Sequence, residues 1–459
     1  METPIAFGTD GWRADLETFT TDRVRIVAQA VATYLADHGL TGAPIAIGYD
    51  ARESSRGFAD AVADVLLANG IDVRRMPRDL PTPLLAWQIA ERRCSGGIMI
   101  TASHNPPEYN GVKFITAAGA PALPTVTDAL EARLAEPRQL PAAGADDRLA
   151  DPRTAYLDHV RDLVDVAGID GLSVCYDAMH GSGRGVTDRL LKACGAAVMT
   201  YRCTRDPTFG GGAPEPTAAR LGTLARAVAR HDADLGIAND GDADRIVVAT
   251  PDRGILDANL LYAALYDYLL EDDAGPAVRT VSTSHLIDRI AAAHDEDVIE
   301  TAVGFKWVAA AMREHDALIG GEESGGYGIR GHVREKDGVL MAALICAMTA
   351  AEPIDARIDR LLDEYGRIVQ DKISIECRDG EKEAVLEALD GAVPESIAGS
   401  DVADVATVDG CKITLADGCW VLVRPSGTEP VLRVYAEAPD RDRVEEVLAA
   451  GRSIVEPIV

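Results

Sequence analysis

The sequence predicts an α/β protein with three related α/β domains, whose sheets are mixed and mostly parallel, and a smaller C-terminal α+β domain. Three observations support this prediction. The chain has 459 residues, which is too long for a single core of ordinary size. A strand–helix–strand pattern recurs along it, and the last ninety or so residues follow a different pattern of alternating strands.

The recurring unit is clearest at residues 44 to 75, "PIAIGYDARESSRGFADAVADVLLANGIDVRR", and residues 172 to 203 repeat its plan. Asp50 and Asp177 close the first strand of each copy, and a glycine follows each helix. A weaker third version covers residues 279 to 302. Such units build largely parallel sheets between helices, with ligand-binding groups in the loops at the carboxyl ends of the strands.

The predicted domain boundaries follow changes in composition. A Pro/Ala/acidic stretch at 135 to 153 separates the first unit from the second, and the turn-rich "TPDRGILD" joins the second to the third. The alternating strand "DKISIEC" opens the last segment. The expected domains are 1–149, 150–252, 253–368 and 369–459.

Composition narrows the possible partners and location. A formal net charge of −29 argues against nucleic acid and anionic membranes as partners. No segment has the roughly 20 consecutive apolar residues of a membrane span, and "VLMAALICAMTAA" is expected to be a buried helix. The N-terminus lacks the pattern of a secretory signal, and the eight scattered cysteines are typical of reduced thiols. We therefore expect a cytoplasmic protein.

Arginine greatly outnumbers lysine among the 45 basic residues, with 38 arginines and seven lysines. An acidic, lysine-poor surface suggests adaptation to high intracellular salt, where long-range repulsion between charges is screened. A halophilic origin is a hypothesis at this stage.

The stretch "ITASHNPPEYNGVKF" places Ser103 directly after an apolar strand and before His104 and two prolines. A serine at the end of a strand is usually only part of a turn. A serine hydrolase would require a G-x-S-x-G elbow, which neither Ser103 nor Ser324 provides. The remainder of the chain must decide whether Ser103 is functional.

In "NDGDADR", Asp240, Asp242 and Asp244 alternate just beyond a predicted strand. Three carboxylates this close repel one another, and a hard divalent cation stabilises them best. The alternative is a solvated acidic turn. An EF-hand does not fit, because Arg245 and Pro251 stand at the sixth and twelfth loop positions, and a structural Ca²⁺-binding protein is therefore a remote alternative.

Two further loops carry binding chemistry. "VRPSGTEPVLRV" combines Arg424 with Ser426, Gly427 and Thr428, which suits a phosphate dianion, although Ser-Gly-Thr is also common in turns. "GGEESGGYGIRGHVREKDG" places carboxylates and a serine between glycines, where they can reach sugar hydroxyls. Three of the seven lysines lie in or near candidate site loops. Lys113 lies in the Ser103 stretch, Lys306 in "VGFKW" upstream of the glycine-rich loop, and Lys336 within that loop.

The motifs "TASHNP", "DGDADR", "GEESGG" and "RPSGTEP", in this order and about one per domain, resemble those of the α-D-phosphohexomutase family, as does "FGTDGWR" near the start. The resemblance covers essentially the whole chain. It implies four domains around a central cleft, a phosphorylated serine, one Mg²⁺ ion and a bisphosphorylated sugar intermediate.

The resemblance also implies roles for individual residues. Ser103 would carry the phosphoryl group and complete a Mg²⁺ site formed by Asp240, Asp242 and Asp244, with Arg245 offsetting charge on the transferring group. Lys113 or His104, and less directly His332, would act as general acid/base. The other implied contacts are Glu322 and Ser324 with Lys306 nearby for the sugar, Arg424, Ser426, Gly427, Thr428 and Arg433 for a phosphate, and Arg13 in the cleft.

The sugar loop resembles the glucose and mannose branches of the family. The glucosamine branch more often has Gln-Ser-Gly-His in this loop and Gly where Ala243 stands. The expected enzyme is a phosphoglucomutase, with a phosphomannomutase or a dual-specificity enzyme as the alternative. Glucose 1,6-bisphosphate, or its mannose counterpart, is the expected activator, hexose phosphates are the expected partners, and the chain is expected to be a monomer or homodimer.

A sugar-phosphate-binding regulator without catalytic activity is a more remote alternative. It predicts a substitution at Ser103 or in the aspartate loop, and both motifs are intact.

Overall fold

The computed structural model describes residues 5–138, 143–378, 380–390, 393–427 and 430–457. Within these residues the chain forms four successive sheets, each with its own helices. Three of the sheets are mixed, and the last is entirely antiparallel. The predicted fold class is therefore confirmed.

The first domain has a six-stranded sheet in the order β1-β5-β4-β2-β3-β6, with parallel pairing among its central strands. The antiparallel strands β4 and β5 flank the loop that carries Ser103. Its elements are β1 (Trp12–Asp15), α1 (Thr21–Asp37), β2 (Ile45–Tyr49), α2 (Ser55–Ala68), β3 (Val73–Arg75), α3 (Thr82–Glu91), β4 (Gly96–Ile100), β5 (Tyr109–Thr116), α4 (Pro124–Glu131) and β6 (Asp146–Arg148).

The second domain has a five-stranded sheet in the order β11-β10-β9-β7-β8. Its hairpin of β10 and β11 extends to Ile255 and so crosses the predicted boundary at 252. The elements are α5 (Arg153–Leu163), β7 (Ser173–Asp177), α6 (Thr187–Ala193), β8 (Ala197–Tyr201), α7 (Ala218–His231), β9 (Leu235–Asn239), β10 (Ile246–Thr250) and β11 (Gly254–Ile255).

The third domain has a four-stranded sheet in the order β13-β12-β14-β15. Its helix α11, the apolar segment noted in the sequence, is buried from Gly338 to Thr349, as predicted. The elements are α8 (Ala258–Leu270), β12 (Ala277–Thr280), α9 (Leu286–Ala293), β13 (Val298–Thr301), α10 (Phe305–Glu314), β14 (Ile319–Gly321), β15 (Tyr327–Ile329), α11 (Gly338–Ala351) and α12 (Ile354–Tyr365).

The fourth domain has six antiparallel strands in the order β16-β21-β20-β19-β18-β17. Helices α13 and α14 contact each other, and α14 packs along β16, β20 and β21. The elements are β16 (Val369–Glu376), α13 (Lys382–Asp390), β17 (Ser396–Ile397), β18 (Ser400–Ala406), β19 (Cys411–Leu415), β20 (Trp420–Pro425), β21 (Val431–Ala438) and α14 (Arg441–Val455).

The first three domains share one continuous apolar core, which includes Trp87, Tyr156 and most of α11. The fourth domain has a separate core of its own. Among the described residues, a small apolar cluster formed by Val281, Trp420, Leu422 and Tyr435 joins it to the third domain, together with polar contacts such as that of Lys412 with Glu300. Burial of apolar area is the main stabilising contribution in such cores, so the first three domains are the more firmly united part.

Among the described helices, none is by itself long and apolar enough to cross a membrane. Helices α11 and α12 would reach that length only if they were taken together, and the chain bends by 78° between them.

Candidate active site

The Ser103 loop follows β4 and holds the serine in a left-handed backbone conformation with φ of 49°. Such a conformation costs a non-glycine residue about 1 kcal/mol, so the surroundings must stabilise it. The Ser103 amide donates to Thr101 Oγ1 at 2.8 Å. The buried Arg52 guanidinium donates to the carbonyls of Ser103 and Asn105 at 2.9 and 2.7 Å and pairs with Asp50. Asp50, which the sequence marked as a strand-end carboxylate, thus supports this loop.

The aspartate loop follows β9 in the second domain and faces Ser103. Asp240, Asp242 and Asp244 are all buried, and one oxygen of each lies within 4.8 Å of the others. Ser103 Oγ donates to Asp240 Oδ2 at 2.8 Å. The Oδ1 atoms of Asp242 and Asp244 are buried without a hydrogen-bond partner within the described part of the chain. Unpartnered carboxylate oxygens beside a hydroxyl suit a hard divalent cation, so this residue set fits Mg²⁺.

Burial and mutual repulsion govern the charge of this loop. Burial, together with the neighbouring Asp244 and Asp242 carboxylates, raises the pKa of Asp240 well above its usual value. Burial acts in the same direction on Asp242, but the charge of Lys113, the hydrogen bond from Thr82 and the charge of Arg13 together outweigh it and lower the pKa of that carboxyl. The carboxylates of the aspartate loop therefore depend on nearby positive charge to remain ionised.

Two lysines supply that positive charge. Lys113 Nζ lies 3.1 Å from Asp242 Oδ2 and 3.0 Å from Asp244 Oδ2, and Lys336 Nζ lies 3.3 Å from Asp244 Oδ2. Both ammonium groups also contact Asp10, at 2.7 and 3.4 Å. Burial alone would lower the pKa of Lys113, but the three carboxylates raise it well above its usual value.

Asp10 and Lys336 are components of this cluster that sequence reasoning did not assign a role. Asp10 lies inside the quoted "FGTDGWR" motif, and Lys336 was noted only as one of three lysines in site loops. Thr82, whose hydroxyl donates to Asp242 Oδ2 at 2.6 Å, had no signal in the sequence. Their importance depends on contacts between domains, which local patterns do not predict.

Arg13, His104 and Arg245 surround Ser103. Arg13 pairs with Asp10 at 3.2 Å and donates to Asn105 Oδ1 at 3.2 Å. His104 Nδ1 lies 3.3 Å from Ser103 Oγ, and the Arg245 charge, reinforced by burial, lowers the pKa of His104 well below its usual range. The imidazole is therefore neutral. Arg245 is anchored through its amide, which donates to Asp240 Oδ1 at 3.2 Å.

The sugar loop lies between β14 and β15. Glu322 is buried, accepts from the Gly304 amide at 3.0 Å, and has its pKa raised by burial. A Cβ on Gly325, whose φ is 85°, would lie 2.6 Å from the Ile246 carbonyl oxygen, which explains the glycine there. Ser324 is half-buried at the tip of the loop. Glu322 and Ser324 therefore sit on the loop that rests against the strand leaving the aspartate loop.

The predicted phosphate loop follows β20 in the fourth domain. Arg424 pairs with Asp409 at 3.1 Å, and Arg433 lies directly opposite it on β21. Ser426 is buried, and a Cβ on Gly427 would lie 3.6 Å from Thr9 Oγ1 of the first domain. This loop therefore approaches the N-terminal loop that carries Asp10 and leads into β1, where Arg13 lies. Thr428 lies outside the described residues.

Two predicted site residues lie elsewhere. His332 binds Asp337 Oδ2 through Nε2 at 2.9 Å and His159 through Nδ1 at 3.1 Å, so both ring nitrogens are engaged. This placement does not suit a general acid/base for the sugar. Lys306 Nζ donates to the Gly8 carbonyl at 3.3 Å, at the junction of the first and third domains, and it lines a cavity that His332 also lines.

A buried serine facing three aspartates that fit a divalent cation, with a separate arginine loop on another domain, suits a phosphoryl-transfer enzyme. Comparison with known proteins identifies the class. Four family models, described as domains I, II, III and the C-terminal domain of phosphoglucomutase/phosphomannomutase, match residues 4–140, 154–254, 257–365 and 373–452.

Relatives of known name cover nearly the whole chain. A "probable phosphoglucosamine mutase" of Methanopyrus kandleri is 34% identical, covering 96% of this chain and 95% of its own. A phosphoglucomutase/phosphomannomutase of Thermococcus kodakarensis is 32% identical, covering 98% of each. A solved structure from Thermus thermophilus, provisionally named a phosphomannomutase, has a TM-score of 0.87 at 31% identity and covers 99% of this chain and 100% of its own.

The chain therefore belongs to the phosphoglucomutase/phosphomannomutase family of α-D-phosphohexomutases. It is an isomerase that transfers phosphate intramolecularly. The names of its relatives span glucosamine, glucose and mannose, so family membership leaves the sugar open.

Proposed function

We propose that the protein interconverts hexose 1-phosphate and hexose 6-phosphate through a phosphorylated Ser103 and a hexose 1,6-bisphosphate, with glucose as the preferred sugar. The observation that carries this proposal is the contact between Ser103 Oγ and Asp240 at 2.8 Å. It joins a hydroxyl of the first domain to the acidic cluster of the second. Phosphoryl transfer depends mainly on such positioning and on neutralisation of charge.

In the first half of the proposed reaction, the bond between phosphorus and Ser103 Oγ breaks and a bond from phosphorus to O6 of a hexose 1-phosphate forms. The proton of the sugar hydroxyl passes to a protein base. His104, whose neutral imidazole lies 3.3 Å from Ser103 Oγ, is the candidate, because Lys113 is held as an ammonium by its carboxylate partners. In the second half, the bond between phosphorus and O1 breaks as Ser103 Oγ takes the phosphoryl group, and O1 receives the proton that the protein base accepted in the first half. Hexose 6-phosphate leaves, and the enzyme is again phosphorylated.

Asp240, Asp242 and Asp244 are the residues that would hold Mg²⁺, and a phosphate oxygen on Ser103 would complete the ligand set. Bound there, the ion supplies positive charge next to the transferring phosphoryl group. Arg245 contributes a further fixed cation, and its amide contact with Asp240 keeps it beside the loop.

The bisphosphate must turn end for end between the two halves, so the phosphate that is not reacting needs a site of its own. Arg424, Ser426, Gly427 and Arg433 are proposed to form that site. Glu322 and Ser324 are proposed to bind sugar hydroxyls that are available in both orientations.

The sequence "GEESGG" in the sugar loop supports glucose or mannose over glucosamine. Mannose phosphate, or both sugars, is the first alternative. Glucosamine phosphate is a second, because relatives such as the Methanopyrus protein carry that name, and the carboxylate of Glu322 suits an amino group as well as a hydroxyl. Values of kcat/KM for the three 1-phosphates, measured in parallel with glucose 1,6-bisphosphate present, would rank them.

Mass spectrometry of the intact protein tests the central step. Incubation with Mg²⁺ and glucose 1,6-bisphosphate should add the mass of one phosphoryl group to the wild type, and peptide mapping should locate it on Ser103. A Ser103→Ala variant should gain no mass and show no mutase turnover, whereas the Ser453→Ala variant on exposed helix α14 should behave as the wild type. Turnover by the Ser103→Ala variant would refute the mechanism.

A further inference from the structure

A cavity lies at the junction between the first and third domains, and His159 of α5 in the second domain also lines it. Its volume is about 670 Å³, within the roughly 300–1,000 Å³ of small-molecule sites. None of Ser103, the aspartate loop or the predicted phosphate loop lines it. Because Arg93, Arg313 and Arg334 do line it, we call it the arginine cavity.

The charge of the arginine cavity is opposite to that of the protein. Besides the three arginines it is lined by Lys306, and Glu91 is the single carboxylate among the residues that line it. The whole chain, by contrast, carries 74 acidic against 45 basic residues. A concentration of cations in so acidic a protein attracts anions from solution.

The three arginines also lack the partners that other arginines in this protein have. Arg52, Arg279 and Arg357 each pair with a carboxylate. Throughout the described ranges of the chain, no carboxylate lies within ion-pair distance of the guanidinium groups of Arg93, Arg313 and Arg334. Guanidinium groups bind phosphate through paired hydrogen bonds, so three unpaired ones around one cavity suit a phosphorylated ligand.

The remaining wall of the arginine cavity suits the ring of a bound ligand. Trp87, His159 and His332 form a row of contacting rings, with centroid separations of 5.4 and 5.2 Å. Apolar side chains complete the wall, including Pro121, Leu123 and Val126. A planar or sugar ring would replace water against these surfaces at a favourable free energy.

From these observations we infer that the arginine cavity is a second ligand site, which binds an organic phosphate of nucleotide size, with its phosphate on the arginines and its ring against the apolar wall. The occupant would be an effector and not a substrate, because Ser103 does not line the cavity. Arg334 is two residues from Lys336, whose ammonium contacts Asp244 at 3.3 Å, so an occupant would bind next to the chain segment that reaches the active site.

Isothermal titration calorimetry with ADP, adenosine and inorganic pyrophosphate tests the inference. ADP should bind, adenosine should not bind measurably, and pyrophosphate should bind more weakly than ADP. The Arg93→Ala/Arg313→Ala double variant should bind ADP at least about tenfold more weakly, since a hydrogen bond to a charged group typically contributes that much or more.

Matched variants separate this site from general charge attraction and from binding in the cleft. The Arg226→Ala/Arg230→Ala double variant removes the same charge from exposed positions of α7, and Arg230, like Arg313, lies in the last turn of its helix. It should bind ADP as the wild type does. The Arg424→Ala variant, and saturation with glucose 6-phosphate, should likewise leave ADP binding unchanged, because both act on the cleft.

Several outcomes would overturn the inference. They are equal ADP affinity of the wild type and the Arg93→Ala/Arg313→Ala variant, displacement of ADP by glucose 6-phosphate, and pyrophosphate binding as tightly as ADP. Each result stands whether or not the proposed mutase reaction is correct, since the measurement is of binding and not of turnover.

Discussion

Ser103 combines a reactive position with an unfavourable backbone. Its φ of 49° is one that glycine adopts freely and serine does not, yet the loop is fixed by the Arg52 guanidinium and by Thr101. Backbone strain of this kind occurs at sites where the surrounding structure determines the conformation. The surrounding structure therefore holds Ser103 in a backbone conformation that serine disfavours.

This conformation leads to a prediction about two variants that both lack the hydroxyl. Ser103→Gly should be more stable than Ser103→Ala by about 1 kcal/mol, because only glycine adopts the left-handed region without cost. Both should be inactive. Urea denaturation gives the free energies of unfolding, and an alanine variant at least as stable as the glycine variant would contradict the assigned conformation.

Arg424 is expected to contribute binding and not chemistry. Its contact would be with the phosphate that is not reacting, so it would be made equally in the ground state and the transition state. Arg424→Ala should raise KM for the hexose 1-phosphate by about ten- to a hundredfold and leave kcat within a few-fold of the wild type. Steady-state kinetics decide this, and a large fall in kcat at unchanged KM would argue against a separate phosphate site.

At the scale of secondary structure, the start of α11 is the element most closely tied to the active site. Asp337 caps the helix by accepting from the Val339 and Leu340 amides at 2.9 and 2.8 Å, and it also accepts from His332 and Tyr156. The Gly338 amide donates to the Ala243 carbonyl at 3.2 Å. The helix therefore begins in contact with the aspartate loop.

The contact makes Gly338 unusual for a helical glycine. A Cβ there would lie 2.4 Å from the Arg245 carbonyl oxygen and 2.6 Å from Asn239 Nδ2. Gly338→Ala should therefore lower the free energy of unfolding by about 1–3 kcal/mol and reduce turnover, although alanine is the better helix former.

Gly57 on α2 provides the matched control, because no atom lies within 4 Å of the position of its Cβ. Gly57→Ala should raise the free energy of unfolding by roughly 0.5–1 kcal/mol. Chemical denaturation of both variants gives the comparison. A stabilised Gly338→Ala variant would contradict the expected clash and show that the aspartate loop shifts to accommodate the added methyl group.

Local patterns were sufficient to predict the repeated strand–helix–strand units and the loops that follow them. Ser103 and the three aspartates were predicted because each motif is contiguous and its chemistry is distinctive. The cluster of Asp10 with Lys113 and Lys336 was not, since Lys336 and Asp10 are 326 residues apart in sequence and meet only when two domains pack. The family resemblance made His332 a weaker candidate for the general acid/base, and in the structure its ring nitrogens contact Asp337 and His159.

For the molecule as a whole, net charge is the dominant electrostatic property. A net charge of −29 produces self-repulsion that favours the unfolded chain. Raising KCl from 0.1 to 1 M shortens the screening length from about 10 to about 3 Å, so Tm should rise. Differential scanning fluorimetry across this series, with sucrose as a non-ionic control, gives the measurement, and a Tm that falls with KCl would refute the halophilic hypothesis.

The separation of the cores has a consequence for the proposed catalytic cycle. The first three domains share one core, whereas the fourth contacts the third through Trp420, Leu422 and Tyr435 packed against Val281, and through a few polar contacts such as Lys412 with Glu300 at 2.7 Å. We therefore expect the fourth domain to be the part most able to rotate as a unit, on its short connection after Tyr365, without disturbing Ser103 or the aspartates. A hexose bisphosphate would then have space to rotate within the cleft, while the three aspartates keep their positions.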